Sequence, residues 1–210
     1  MIAELIISMR PKQWYKNLII FVCIVFSKNL LSFDLWFNII SAFAIFCLLS
    51  GSEYLINDIL DREKDRKHPR KRKRPIASGT LKISHASVFA VIFIILAFAG
   101  AYLINTWFLL ISIAYFVLIL SYSLLLKHLI IVDLLVISIG FVIRAVAGCL
   151  AIDVFISPWL IICAFLIAMF LALGKRRHEL ILLGGEAKKH RKILQGYTSE
   201  MLDQMINISM

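Results

Sequence analysis

Polar surface is what this 210-residue sequence lacks most. Charged residues make up 17% of it and hydrophobic residues 61%, with a mean hydropathy of +0.88. A soluble domain holds about 45–50% apolar residues and must wet its whole exterior. A water-soluble globular domain is therefore excluded. Cysteine is sparse: Cys23, Cys47, Cys149 and Cys163 lie far apart, each inside an apolar run, which fits neither a disulfide framework nor paired zinc ligands. They are expected as small buried hydrophobes. His68, His85 and His128 show no ligand spacing, so no metal is assigned to them. No small-residue cleavage site follows the first apolar stretch, and no removable signal peptide is expected. Internal repeats are absent, which weighs against a transporter built from paired halves.

What is present is a series of long apolar runs. A bilayer core of about 30 Å needs about 20 apolar helical residues, and six runs approach that length, at 18–33, 35–56, 84–104, 107–126, 130–152 and 156–174. The first is the weakest, because Lys28 and Asn29 interrupt it. The expectation is a single all-α domain over 1–210, a polytopic bundle of six spans. Lysine and arginine fall before span one, in the loop from Arg62 to Lys82, at Lys127 and in the segment 175–192. With the N-terminus cytoplasmic, every basic residue except Lys28 and Arg144 lies on the cytoplasmic side, as the positive-inside rule requires. The net charge of +10 is thereby assigned to plasma-membrane topology, and no nucleic-acid partner is expected.

Residues 57–65 read NDILDREKD, after an apolar helix and before the most basic loop. On a helix Asn57, Asp58, Asp61 and Asp65 fall at about 0°, 100°, 40° and 80°, one face over two turns. Carboxylates crowded this way repel one another and call for positive charge. An oxygen-only set suits Mg²⁺, which takes one or two carboxylates and completes its shell with water and substrate phosphate. The alternative is a solvated helix end whose acids pair with Arg62, Lys64 and Arg66; spacing and depth favour the ion.

Read into the loop, NDILDREKDRKHPRKRKRPIASG resembles the first aspartate-rich signature of the UbiA superfamily of intramembrane prenyltransferases, with Asn57, Asp58, Asp61, Asp65, Arg74, Pro75, Ser78 and Gly79 matching. RPKQWYKN at 10–17 and DRKHP at 65–69 resemble the branch that moves 5-phosphoribose from phosphoribosyl diphosphate to a polyprenyl phosphate of decaprenyl type. The resemblance implies a UbiA-like bundle of usually nine helices, so a family member would continue beyond residue 210. It also implies Mg²⁺ held by Asp58, Asp61 and Asp65, the catalytic acids, at the cytoplasmic face. GKRRHEL at 174–180 stands where most prenyl-transferring members carry a second aspartate motif. Cations in that place suit an additional phosphate.

The substrate-binding residues expected on these grounds are Lys12, Lys16, Asn57, Arg66, Arg74, Arg144, Lys175, Arg176 and Glu179. Lys12 and Lys16, four residues apart, share a face if that segment is an α-helix; topology signalling is the other reading. Arg144 lies mid-span, at a cost from about 2.5 kcal/mol upward, and must meet a partner or a water-filled cavity. A substrate phosphate and an acid on another helix are both open. Asp133 shares its helix face but is about 16 Å away along the axis, and reads equally as a helix-start acid. Tyr122 and Lys127 are expected as interfacial anchors. The alternative activity is prenyl transfer from a prenyl diphosphate to an aromatic acceptor, which the same aspartates would serve.

Overall fold

The computed structural model describes residues 1–126, 129–183 and 197–209, and all regular structure among them is helical. A short α1 (Ile2–Ser8) leads into a 3₁₀ helix (Pro11–Phe21) continued by α2 (Val22–Phe26). Then come α3 (Phe33–Leu60), α4 (Arg62–Lys67), a 3₁₀ turn (Lys71–Lys73) and α5 (Pro75–Ser78). Four long helices follow, α6 (Ile83–Ile104), α7 (Thr106–Leu124), α8 (Val132–Ala151) and α9 (Pro158–Leu183), and then α10 (Ser199–Ser209). Lys127, His128 and the basic residues at 188–192 lie outside the described residues.

Five helices, α3 and α6 to α9, are long and apolar enough to cross a membrane. The expected span at 18–33 is not among them, yet the chain makes that crossing by other means. Arg10 touches Asp58 near the C-terminal end of α3, whereas the carbonyl of Leu30 accepts from Trp36 Nε1 near its N-terminal end. The passage between them is made by residues 11–26. A 3₁₀ helix rises about 2.0 Å per residue, so its 11 residues plus 5 of α2 cover roughly 30 Å, a bilayer core. The first crossing therefore starts earlier than its hydropathy suggests and covers more length per residue than an α-helix would.

The slim 3₁₀ segment packs tightly. A Cβ on Gly148 would stand 2.2 Å from the carbonyl oxygen of Ile20, so only glycine lets α8 approach this closely. Cys23 on α2 and Cys149 on α8 are joined there as a disulfide. This corrects the expectation of unpaired buried cysteines: residues distant in sequence meet because α2 and α8 pack. Cys47 is buried as expected, and Cys163 is exposed on α9.

Helices α3 and α8 form the centre, more than half buried, while α6 and α7 turn most of their apolar surface outward. Phe46, Phe108 and Tyr115 pack ring on ring between α3 and α7. The tight α6–α7 turn is fixed by Asn105, whose side chain accepts from Phe108 N at 2.7 Å and donates to Leu150 O at 2.7 Å. Exposed Tyr102, Trp107, Phe155 and Trp159 gather near that turn and the α8–α9 turn, an aromatic belt of the kind found at a membrane interface. The charged residues collect at the other end.

Candidate active site at the basic end of the bundle

Helix α3 closes at Leu60, and Asp61, at φ −88° and ψ 5°, joins it to α4. The register survives the joint, since Asp61 N donates to Asn57 O at 2.9 Å and Asp65 N to Asp61 O at 2.8 Å. Asp58 and Asp65 thus stay on one side, each 2% exposed. The basic loop folds back so that Arg74, the N-cap residue of α5, reaches both. Its Nη1 lies 3.0 Å from Asp58 Oδ1 and 2.6 Å from Asp65 Oδ2. Arg10 adds a 2.5 Å bond to Asp58 and lies 4.5 Å over the ring of Tyr54. Arg10 takes a left-handed φ of 53° to turn into Pro11, a strained conformation common at functional sites. Lys71 stands 3.8 Å from Asp65.

The solvated-end alternative named Arg62, Lys64 and Arg66 as partners. Lys64 does stand 3.8 Å from Asp61, but the two buried acids take their cations from remote segments. Two carboxylate oxygens from different turns converge on one cationic nitrogen, which marks a point where positive charge is held. Among the described residues no three acidic, histidine or cysteine side chains stand close enough to enclose an ion. Asp58 and Asp65 as a pair nonetheless fit Mg²⁺, which needs only one or two protein carboxylates. Asp61 sits at the helix joint beside this pair and does not share the bond to Arg74.

Deeper in the bundle lies a cavity of about 210 Å³ lined by Lys16, Glu53, Asn57, Tyr115, Tyr122 and Arg144, among others. Arg144 is 8% exposed. It donates to Asn17 Oδ1 at 2.7 Å, to Tyr115 Oη at 2.5 Å and to Gly140 O at 2.9 Å. All three acceptors are neutral, so the hydrogen bonds hold the guanidinium in place without cancelling its charge; of the two partners left open, an acid on another helix is present only as Glu53, which acts on Arg144 through charge and not through one of these bonds. The buried cation on the cavity wall is a ready site for an anion.

Several expected contacts fall elsewhere. In a 3₁₀ helix four residues turn through about 120°, not back to the same face, so Lys16 lines the cavity while Lys12 is exposed. Arg66 bonds Ala77 O at 3.1 Å and Glu63 at 3.3 Å, bracing the loop rather than meeting the acids. Arg176 is 3% exposed and binds Asp133 through Nε at 3.1 Å and Nη2 at 2.6 Å, with Glu179 on Nη1 at 3.0 Å. Tyr197, ahead of α10, donates to Asp133 Oδ1 at 3.0 Å and accepts from Ile131 N at 2.9 Å. Burial, reinforced by the Asp133 charge, pushes its phenol up to about 12, so it remains a donor. Arg176, Glu179 and Asp133 thus tie α8, α9 and α10 together. Lys175, from the GKRRHEL run, acts on the charge of Lys16. Tyr122, expected as an interfacial anchor, lines the cavity. Sequence reasoning gave no role to Arg10, Tyr54, Tyr115 or Glu53. Arg10 stood in the RPKQWYKN run, and Glu53 lies one turn before Asn57 on nearly the same azimuth.

A sequence model of the UbiA prenyltransferase family matches residues 17–177. The chain belongs to the UbiA prenyltransferase family. Three curated relatives are named decaprenyl-phosphate phosphoribosyltransferase. That of Mycolicibacterium smegmatis is 37% identical over 96% of this chain and 65% of its own length. That of Mycobacterium tuberculosis is 33% identical over 96% and 68%, and that of Corynebacterium glutamicum 34% over 93% and 60%. The chain therefore spans about two thirds of the length of these relatives. A UbiA homolog from Archaeoglobus fulgidus bound to GPP and Mg²⁺ shares the fold, with a TM-score of 0.77 over 98% of this chain and 73% of that one at 17% identity. Like its UbiA relatives, this is an integral membrane protein.

Proposed function

We propose that this UbiA chain transfers 5-phosphoribose from phosphoribosyl diphosphate to a polyprenyl phosphate, in a Mg²⁺-dependent reaction at the cytoplasmic face of the plasma membrane. The observation that carries the reading is the convergence of buried Asp58 and Asp65 on one cationic point beside a cavity walled by Lys16 and Arg144. The names of the relatives agree with it.

Breaking the C1–O bond of the donor leaves negative charge on the departing diphosphate and positive charge on the sugar carbon. Held by Asp58 and Asp65, with Asp61 alongside, Mg²⁺ supplies Lewis-acid neutralisation of that diphosphate. Arg10 and Arg74 stand at the same point, and Arg74, displaced from the acids by the ion, is freed for the diphosphate. Asn57, on the cavity wall next to Asp58, is placed to donate to a diphosphate oxygen. Lys16 and Arg144, with Lys175 near the mouth, hold the remaining phosphates. The acceptor phosphate is already anionic and needs positioning rather than a base.

The test supplies labelled phosphoribosyl diphosphate, a polyprenyl phosphate and Mg²⁺ to the purified protein in detergent and follows label into the organic phase. Transfer is expected, and Asp58→Asn with Asp65→Asn should abolish it. Undiminished transfer by that variant, or none by the unaltered protein, rejects the reading. Prenyl transfer from a diphosphate to an aromatic acid in place of ribosyl transfer would establish the alternative.

A further inference from the structure

One wall of the cavity contradicts its charge. Lys16 and Arg144 line it, Arg10 and Lys175 stand near, and three tyrosines, Tyr54, Tyr115 and Tyr122, add hydroxyls. Among them sits Glu53, 6% exposed, with the Tyr115 hydroxyl and the Arg144 charge in range but with its Oε1 left without a hydrogen-bond partner. A buried acceptor left unpaired is costly and calls for an explanation. None of the Arg144 hydrogen bonds goes to Glu53; they are directed to Asn17, Tyr115 and Gly140. Ionised, with Arg144 as its neighbouring counter-charge, the carboxylate repels a phosphate. It suits the part of a ligand that donates hydrogen bonds while the neighbouring cations take the phosphates.

We propose that Glu53 accepts hydrogen bonds from the vicinal hydroxyls of the donor sugar, and so selects a sugar diphosphate over a prenyl diphosphate. This rests on the ribosyl-transfer reading and adds a specificity-determining residue to it. A prenyl chain has no hydroxyl to offer and would leave the carboxylate oxygen stranded. Phosphoribosyl diphosphate offers two, on C2 and C3. Glu53 lies one helical turn from Asn57, about 40° from its azimuth, and both line the cavity, so a sugar behind the diphosphate falls at its depth.

The experiment compares phosphoribosyl diphosphate with analogues lacking the 2- or the 3-hydroxyl, using the full protein, a polyprenyl phosphate and Mg²⁺. In the unaltered protein at least one analogue should lose about 10- to 100-fold in kcat/KM, as expected for a hydrogen bond to a charged group. In Glu53→Met the parent donor should lose a comparable factor and the preference over the analogue should shrink towards one, with KM for the polyprenyl phosphate unchanged. Equal use of parent and analogues by the unaltered protein overturns this inference while leaving ribosyl transfer standing, and needs no variant to fold. A preference undiminished in Glu53→Met overturns it as well. Absence of any transfer from phosphoribosyl diphosphate removes the ribosyl reading and this inference together.

Discussion

Arg74→Ala separates the metal reading from a purely structural one without any turnover. Arg74 Nη1 bridges two carboxylates that are each 2% exposed. Removing one partner of a buried ion pair costs about 3–5 kcal/mol, chiefly because the remaining charge is left uncompensated. Asp58 keeps Arg10 at 2.5 Å and Asp65 keeps Lys71 at 3.8 Å, which sets the loss at the lower end, about 3 kcal/mol. At about 2–4 °C per kcal/mol for a chain of this size, Tm should fall by roughly 6–12 °C in EDTA. If the acids are built to hold a divalent ion, Mg²⁺ at 100 times its Kd returns about 2.7 kcal/mol and nearly restores Tm. In the unaltered protein the gain should be smaller, because an ion must first displace Arg74. Thermal unfolding in detergent, with Mg²⁺ against Na⁺ at matched ionic strength, measures both effects. The reasoning is refuted if Mg²⁺ raises the variant no more than the unaltered protein, or if adding Asp58→Asn leaves the Mg²⁺ effect intact.

Lys16→Ala should raise KM for phosphoribosyl diphosphate about tenfold or more, as loss of a charge-assisted contact implies, whereas Lys12→Ala should leave it unchanged; equal effects would contradict the 3₁₀ geometry. Gly148→Ala forces a methyl against the Ile20 carbonyl and should cost about 1–3 kcal/mol, read as a lower Tm with the Mg²⁺ response retained. Asp133→Asn removes one of the two carboxylates on buried Arg176 and leaves Glu179, and should cost about 3 kcal/mol, against about 1 kcal/mol for Tyr197→Phe, which removes one hydrogen bond. A smaller loss for Asp133→Asn than for Tyr197→Phe would overturn the assignment of that network as the clasp of α8, α9 and α10.

Local regularities were legible in the sequence. The azimuths of Asn57, Asp58, Asp61 and Asp65 depend only on 100° per residue, and they survive the joint at Asp61 because its backbone hydrogen bonds stay in register. Five of six spans were legible because length and hydropathy suffice for an ordinary α-helix. The first was misplaced because its crossing uses a different rise per residue, and the same change of period moved Lys12 off the face of Lys16. Neither follows from composition.

Pairings across the bundle were not legible. Arg176 carries the same charge whether it meets a phosphate or Asp133, and only the packing of α9 on α8 chose Asp133. Cys23 and Cys149 meet for the same reason, since a glycine at 148 lets two backbones touch. By itself the sequence determined that this chain lives in a membrane, which end carries its charge and which helix face carries its acids, because hydropathy and helical period are properties of neighbours along the chain. The tertiary structure alone decided which cations meet those acids, which remain facing the cavity, and that Glu53 stands among them with an oxygen to spare, because those outcomes depend on which helices are brought side by side.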